Sequence, residues 1–288
     1  MKTYTLSWEN HTLELGKRTC VMGIVNVTPD SFSDGGKFFN CDEAVAQGEK
    51  MVEDGADIID IGGESTRPFS EEVSAQEEIQ RVIPVIEKLA KRISVPISID
   101  TTKAGVARQA IEAGASVIND ISSLHLDPDM ADVAAEYGVP VILMHMKGTP
   151  KTMQVSPTYD DVVKEVITFF EDEISNAEKR GIPRSKIIID PGIGFGKTVE
   201  HNLLLIQRLD EFKSLDTPIL MGTSRKAFIR NLLKNETDKD LDPASPEAET
   251  GTQASVAASV LNGAHIVRVH NVVNTCATLK IIDAIKNV

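Results

Sequence analysis

The apolar residues fall into short, β-branched runs, and nearly every run ends on a polar side chain. Cys20–Val25 leads to Asn26, Ile58-Ile59 to Asp60, Ile97–Ile99 to Asp100 and Val117-Ile118 to Asn119. Val141–Met144 leads to His145, Ile187–Ile189 to Asp190, Ile219–Gly222 to Thr223 and Ser224, and Ile266-Val267 to Arg268 and His270. Runs without polar alternation predict parallel strands covered on both faces. The stretches between them are long enough for the helices that parallel crossovers require. About eight such units predict an α/β fold, a closed (β/α)8 (TIM) barrel, whose active site lies where the strands end. The polar groups are all at that end.

Ahead of the first run, Tyr4–Trp8 and Leu13–Leu15 alternate around a turn at Glu9-Asn10-His11, predicting a hairpin that caps the bottom of the barrel. Helix signals follow each strand. Asp42 is read as the N-cap of a helix through Met51, and Ser74 with Glu77 forms a capping box before Ile79–Leu89. Stretches 103–113, 128–137 and 159–180 each stop at a glycine, Gly114, Gly138 and Gly181. Helices are also expected over 198–209, 225–233, 252–262 and 272–285, and 235–249, acidic with Pro243 and Pro246, reads as a surface loop. Two connections differ in kind: Val27–Gly36 and Gly62–Pro68 are rich in Gly, Pro, Ser and Asp, lack periodicity and sit at the predicted mouth. Such loops can close over a substrate.

A length of 288 residues is within the range of a single α/β barrel, and no linker composition divides the chain. The expected organisation is one domain over 1–288, with the hairpin at 1–17 and the barrel at 20–288. A net charge of −13 argues against nucleic acid and anionic membranes, so any cations that meet an anionic ligand must be gathered locally. Residues 1–18 contain no apolar signal-like stretch, and no run approaches the ~20 apolar residues of a membrane span. Cys20, Cys41 and Cys276 are scattered and read as reduced structural thiols of a cytoplasmic protein.

Asp100, Asn119 and Asp190 converge on the mouth of such a barrel. Carboxylates match amidine-like ring edges and Asn offers a donor and an acceptor, so the set suits a flat nitrogen heterocycle. The alternative for each is helix capping, which is the preferred reading, with packing, for Asp60 and Asp120. Asp190–Thr198 fails as a P-loop because Pro191 stands where the first glycine is needed, and as a dinucleotide fingerprint because Lys197 replaces the third. What remains is a glycine turn that brings backbone and Phe195 close to a bound ring, with Lys197 solvated. Arg225 and Lys226 begin a helix; Arg225 reads as a surface charge and Lys226 as aimed back at the mouth. Arg268 and His270 lie two apart on one strand and, with Arg67, form a predicted anion site. By the same parity His265 faces away from His270, which speaks against a zinc pair, and His125 and His145 read as structural. Asn26 and the loop aspartates offer oxygens to a Mg2+ that bridges phosphate. Departure of a diphosphate, helped by Mg2+ and arginines, is the simplest reaction that uses all of these.

The ordered set Asn26–Gly35, Gly62–Pro68, Asp190–Lys197 and Gly222–Lys226 closely resembles the dihydropteroate synthase family of folate biosynthesis, across residues 20–270. The resemblance implies a transferase that condenses 6-hydroxymethyl-7,8-dihydropterin diphosphate with 4-aminobenzoate. It implies that Asp100, Asn119, Asp190 and Lys226 hold the pterin, lined by Met144, Gly194 and Phe195. Asn26, Thr66, Arg67, Arg268 and His270 would take the diphosphate, with Asn26 on Mg2+. Phe32, Pro68, Phe195, Ser224 and Lys226 would frame the aminobenzoate, where sulfonamides compete, and Asp34, Arg67 and Lys226 would be catalytic. A homodimer is also implied. The rival reading is a pterin-binding methyltransferase using methyltetrahydrofolate and a corrinoid partner, which has little use for Arg67, Arg268 and His270. A catalytically silent barrel that only binds a pterin or a protein partner is the third.

Overall fold

The computed structural model describes residues 2–28, 41–65, 72–149, 152–153, 155–234 and 241–288. Strand β1 (Tyr4–Trp8) pairs antiparallel with β2 (His11–Leu15), and their alternation buries Leu6, Trp8, Leu13 and Leu15. The barrel strands are β3 (Cys20–Asn26), β4 (Ile58–Gly62), β5 (Ile97–Asp100), β6 (Val117–Asp120), β7 (Val141–Met144), β8 (Ile187–Asp190), β9 (Leu220–Met221) and β10 (Ile266–Val269). They form an eight-stranded parallel sheet in the order β8-β7-β6-β5-β4-β3-β10-β9. A parallel bridge between Ile189 and Ile219 joins the two outer strands and closes the cylinder. The predicted (β/α)8 barrel is therefore present. Its apolar runs are buried on both faces because side chains alternate between the lumen and a surrounding helical layer. The hairpin lies across the opposite end from the polar residues. Lys186, immediately before β8, donates to Ser7 O at 2.6 Å, and the His265 imidazole, immediately before β10, meets Lys2 O at 3.2 Å.

The outer layer consists of α1 (Cys41–Glu53), α2 (Ala75–Leu89), α3 (Ala104–Glu112), α4 (Met130–Tyr137), α5 (Val162–Lys179), α6 (Val199–Gln207), α7 (Ala227–Leu233), α8 (Pro246–Leu261) and α9 (Val272–Lys286). Several start and stop signals act as expected. Ser74 Oγ accepts from Glu77 N at 3.2 Å, and Gly138 ends α4 at φ 62°. Two expectations need correction. Asp42 lies inside the first turn of α1 rather than capping it, and its carboxylate takes Lys88 Nζ at 2.7 Å. The acidic stretch 235–249 is not loop to its end: α8 begins at Pro246 behind a Ser245 N-cap that accepts from Ala248 N. Proline at the first helical turn loses no hydrogen bond there, so it starts this helix instead of breaking the segment. Residues 235–240 of that stretch lie outside the described residues. Among the described residues no helix is long and apolar enough to cross a membrane.

Candidate active site

The register sets the polar strand ends side by side. Asn26 on β3 pairs with Gly62 on β4, Gly62 with Asp100 on β5, and Asp100 with Asn119 on β6. Met144 on β7 pairs with Asp190 on β8. Inside this ring lies a network that crosses the lumen. Arg268 on β10 donates from Nε to Asp60 Oδ2 and from one Nη to Asp100 Oδ2, both at 2.6 Å. Asn119 Nδ2 donates to the same Asp60 oxygen at 3.1 Å. Neither β10 nor β6 adjoins β4 in the sheet, so only a side chain inside the barrel can reach both.

These contacts correct one expectation and add partners to another residue. Asp60 is neither a cap nor ordinary packing: it is a fully buried carboxylate bridging two candidate site residues. A lone charge in an otherwise apolar strand was the sequence signal for it. Arg268, expected with His270 in an anion site, is engaged by two carboxylates. His270 instead pairs through Nδ1 with Ser224 Oγ at 3.0 Å, and its backbone N–H donates to the same oxygen at 3.3 Å. Asp120 does act locally, accepting from Ser122 N at 2.8 Å and Leu124 N at 2.9 Å.

Burial governs the charges. Asp100 is pushed up to about 7 by desolvation, opposed by Arg268 and reinforced by Asp60. Asp190 is also raised by burial, with the Gly192 N–H and Lys226 working the other way. Lys226 is pushed down to about 8, mainly by burial and then by Arg268. Its ammonium lies 4.2 Å from the centre of the Phe195 ring, a cation–π contact. The remaining hydrogen-bonding capacity is unequal. Asp190 uses Oδ1 on Gly192 N at 2.8 Å, and Asp100 uses Oδ2 on Arg268. The second oxygens of both carboxylates and Asn119 Oδ1 remain as acceptors. A ligand edge rich in N–H groups fits that set.

The wall beside it is the turn after β8. Gly192, Gly194 and Gly196 adopt φ of 72°, 83° and 65°. A Cβ at Gly192 would sit 1.9 Å from His145 O, so the tight approach excludes any side chain. The turn is tied down by Gly194 N to Asn202 Oδ1 at 2.7 Å and by the Tyr159 hydroxyl to Gly196 O at 2.9 Å. Phe195 packs with Ile121, Met144 and Met153 in an apolar cluster apart from the main core. Ile121 and Met153 follow no strand-end pattern and were not expected there.

Lys197, expected in solvent, is 3% exposed. Its ammonium donates to His145 Nδ1 at 2.9 Å, Phe195 O at 3.0 Å and His145 O at 3.4 Å. Desolvation lowers this amine to about 7 despite Asp190, while burial and Lys197 hold the His145 imidazole neutral, as an acceptor at Nδ1 must be. The glycines bend the chain back on itself, which turned a side chain that sequence alone placed outside into the clip beneath Phe195. Arg225, read as a surface charge, is half-buried at φ 59°, and its backbone N–H donates to Thr252 Oγ1 at 3.1 Å. Phe32, Asp34, Thr66, Arg67 and Pro68 lie outside the described residues. Glu64, at the edge of the second loop, pairs with Lys103 at 2.6 Å, as does the buried Glu78. Among the described residues no three His, Cys, Asp or Glu side chains group to hold a metal.

A family model described as pterin binding enzyme matches residues 22–270. The dihydropteroate synthase of Synechocystis sp. is 47% identical over 270 residues, covering 94% of this chain and 91% of that protein. Among solved structures, Xanthomonas albilineans dihydropteroate synthase with 4-aminobenzoic acid superposes at TM-score 0.89, with 42% identity and full coverage of both chains. The same enzyme in complex with 7,8-dihydropteroate gives TM-score 0.86 at 41% identity, covering 99% of each chain.

The geometry of the glycine turn yields a test. Gly192→Ala places an L side chain in left-handed backbone, which costs about 1–3 kcal/mol before its overlap with His145 O is counted. Urea denaturation should show at least that loss, together with weakened binding at the Phe195 wall. A midpoint equal to that of the parent protein would refute the close approach.

Proposed function

The chain belongs to the dihydropteroate synthase family of pterin-binding enzymes, and from that membership we propose that it joins 6-hydroxymethyl-7,8-dihydropterin diphosphate to 4-aminobenzoate. The products are 7,8-dihydropteroate and diphosphate. The observation that carries this reading is the row of acceptors at Asp100, Asn119 and Asp190, gathered beside the Phe195 wall in one barrel mouth. A reduced pterin presents ring N–H and amino donors along one edge, and an acceptor row of this kind suits that edge. The methyl-transfer alternative could share the row, but the identity to a synthase along 94% of the chain decides against it.

In the proposed reaction the exocyclic C–O bond breaks and its electron pair leaves with the diphosphate. The dihydropterin ring donates electron density to the methylene carbon, and the nearby carboxylates stabilise the cationic ring that results. The aminobenzoate nitrogen, neutral at pH 7, then forms the C–N bond and releases a proton to solvent. No strong base is required. Lys226 spans the two substrates: it lies over Phe195 and within the field of Asp190 and Asp100. Ser224 and His270, bonded to each other, supply polar groups on the aminobenzoate and diphosphate side. As in the family the chain resembles, Arg67 would act on the leaving diphosphate and Asp34 would help to steady the cationic pterin. Mg2+, arriving with the substrate, would neutralise phosphate charge, with the Asn26 amide oxygen as its protein ligand; a substrate-borne ion needs few protein groups. Met144 and Gly194 complete the pterin wall.

We further propose a homodimer in the cytoplasm. The exposed apolar side chains Leu232 and Leu233 of α7, Leu261 of α8, and Ile281 and Ile285 of α9 lie on neighbouring helices and suit a second copy of the chain. Sedimentation equilibrium should give twice the chain mass, and Ile281→Asp should reduce it to one; a monomeric parent protein would reject the dimer.

The reaction is tested with purified protein, the pterin diphosphate, Mg2+ and 4-aminobenzoate. Diphosphate release should require all of these, and Asp190→Ala should abolish pterin binding without unfolding. An unchanged pterin dissociation constant in that variant would remove Asp190 from the site.

A pH dependence follows from Lys226. Its amine is protonated below about 8 and loses its charge above. If the ammonium is the working form, kcat/KM for the pterin diphosphate falls as pH rises through that value. Lys226→Arg, which stays charged, should lack this alkaline limb. An identical limb in the variant would assign the titration to another group.

A further inference from the structure

We propose that Asp60 is a positioning residue: its carboxylate determines which way round the Asn119 amide faces the ligand, and so selects rings that offer donors at that position. The proposal rests on the heterocycle site described under Proposed function. Asp60 is 0% exposed and lies inside the barrel. Its Oδ2 accepts Asn119 Nδ2 at 3.1 Å and Arg268 Nε at 2.6 Å.

The chemistry of the two groups sets the orientation. An ionised carboxylate has only lone pairs, so Asn119 must turn its NH2 group toward Asp60. The amide is rigid, which leaves Oδ1 directed away from Asp60. The reverse orientation would set a carbonyl oxygen against a carboxylate oxygen already held by Arg268. Asn119 thus acts toward a ligand chiefly as an acceptor, in agreement with the second oxygens of Asp100 and Asp190. Without an acceptor oxygen at position 60, Asn119 could serve either polarity of ring edge.

A purely structural account leaves features unexplained. Asp100 already pairs with Arg268, so a second buried carboxylate on one guanidinium adds a desolvation penalty. Asp60 Oδ1 is also buried with no partner among the described residues. A buried acceptor without a donor is unfavourable, and one such atom at the centre of a functional network calls for a specific role. Orientation of Asn119 supplies that role, because it needs only one of the two oxygens.

The test uses the full chain and two probes whose N1–C2 edges have opposite polarity. Pterin-6-carboxylate carries a 2-amino donor beside an N1 acceptor, and lumazine-6-carboxylate a 2-carbonyl acceptor beside an N1–H donor. Calorimetry should show the parent protein favouring the amino form by about 100-fold or more, because the oxo form leaves acceptors facing an acceptor. In Asp60→Ala the oxygen that receives both Arg268 Nε and Asn119 Nδ2 is gone, so nothing at 60 dictates the orientation of the amide and Asn119 is released. The preference should then shrink to about tenfold or less, chiefly through improved lumazine binding. Asp60→Ser reads the same ratio should the first variant fail to fold.

Loss of affinity by the same factor for both probes would make Asp60 merely structural and overturn the proposal. A parent protein that binds neither probe would instead overturn the heterocycle reading itself. The two failures are therefore distinct, and a narrowed ratio supports the assignment of Asp60.

Discussion

The functional end of this barrel is organised by one buried cation. Arg268 rises from β10 into the lumen and engages Asp60 from β4 and Asp100 from β5. Burial raises the carboxyl of Asp100 and would disfavour the charge of the arginine, yet each is supported by the other at hydrogen-bonding distance. Removing Arg268 would leave two uncompensated carboxylates inside a closed cylinder. The network also couples strands that are not neighbours in the sheet, so the spacing of the site follows from side chains meeting across the lumen as well as from the hydrogen-bonded ladder.

Around that centre the site divides into two halves with different supports. The ring side is built from strand ends and from the turn 192–197, whose left-handed glycines and buried Lys197 clip hold Phe195 against Met144 and Ile121. Groups placed in this way are pre-organised and lose little freedom when a ligand binds. On the other side, Ser224 and His270 at the ends of β9 and β10 bond to each other. At the second loop's edge, Lys103 holds Glu64 and Glu78 together, while Arg81 donates to Gly63 O at 2.7 Å.

Electrostatics within the mouth reconciles the acidic composition with an anionic substrate. The overall charge of −13 repels anions at long range. Inside, Arg268 and Lys226 stand among Asp60, Asp100 and Asp190, so the ring position is acceptor-rich and favours a ring that becomes cationic. Such a field stabilises charge development at the heterocycle while the diphosphate is handled elsewhere. The proposed separation of the two electrostatic tasks assigns the ends of β5, β6 and β8 to the ring, and Ser224 and His270 to the leaving group.

Much of this was legible in the chain itself. Apolar runs of β-branched residues determined the parallel strands, because a strand covered on both faces cannot alternate. Their polar terminal residues marked the mouth, because every parallel strand of a barrel ends on the same side. Asp100, Asn119 and Asp190 could be named from that rule alone, and the glycine turn from its composition. What only the tertiary structure decided were the partnerships across space. Asp60 looked like a cap or packing, and its pairing with Arg268 was invisible, since nothing local indicates that residues 208 apart in sequence meet in one lumen. Lys197 looked solvated because charge predicts exposure until a turn folds acceptors over it. Local pattern encodes which residues face inward; the closing of the barrel determines which of them touch.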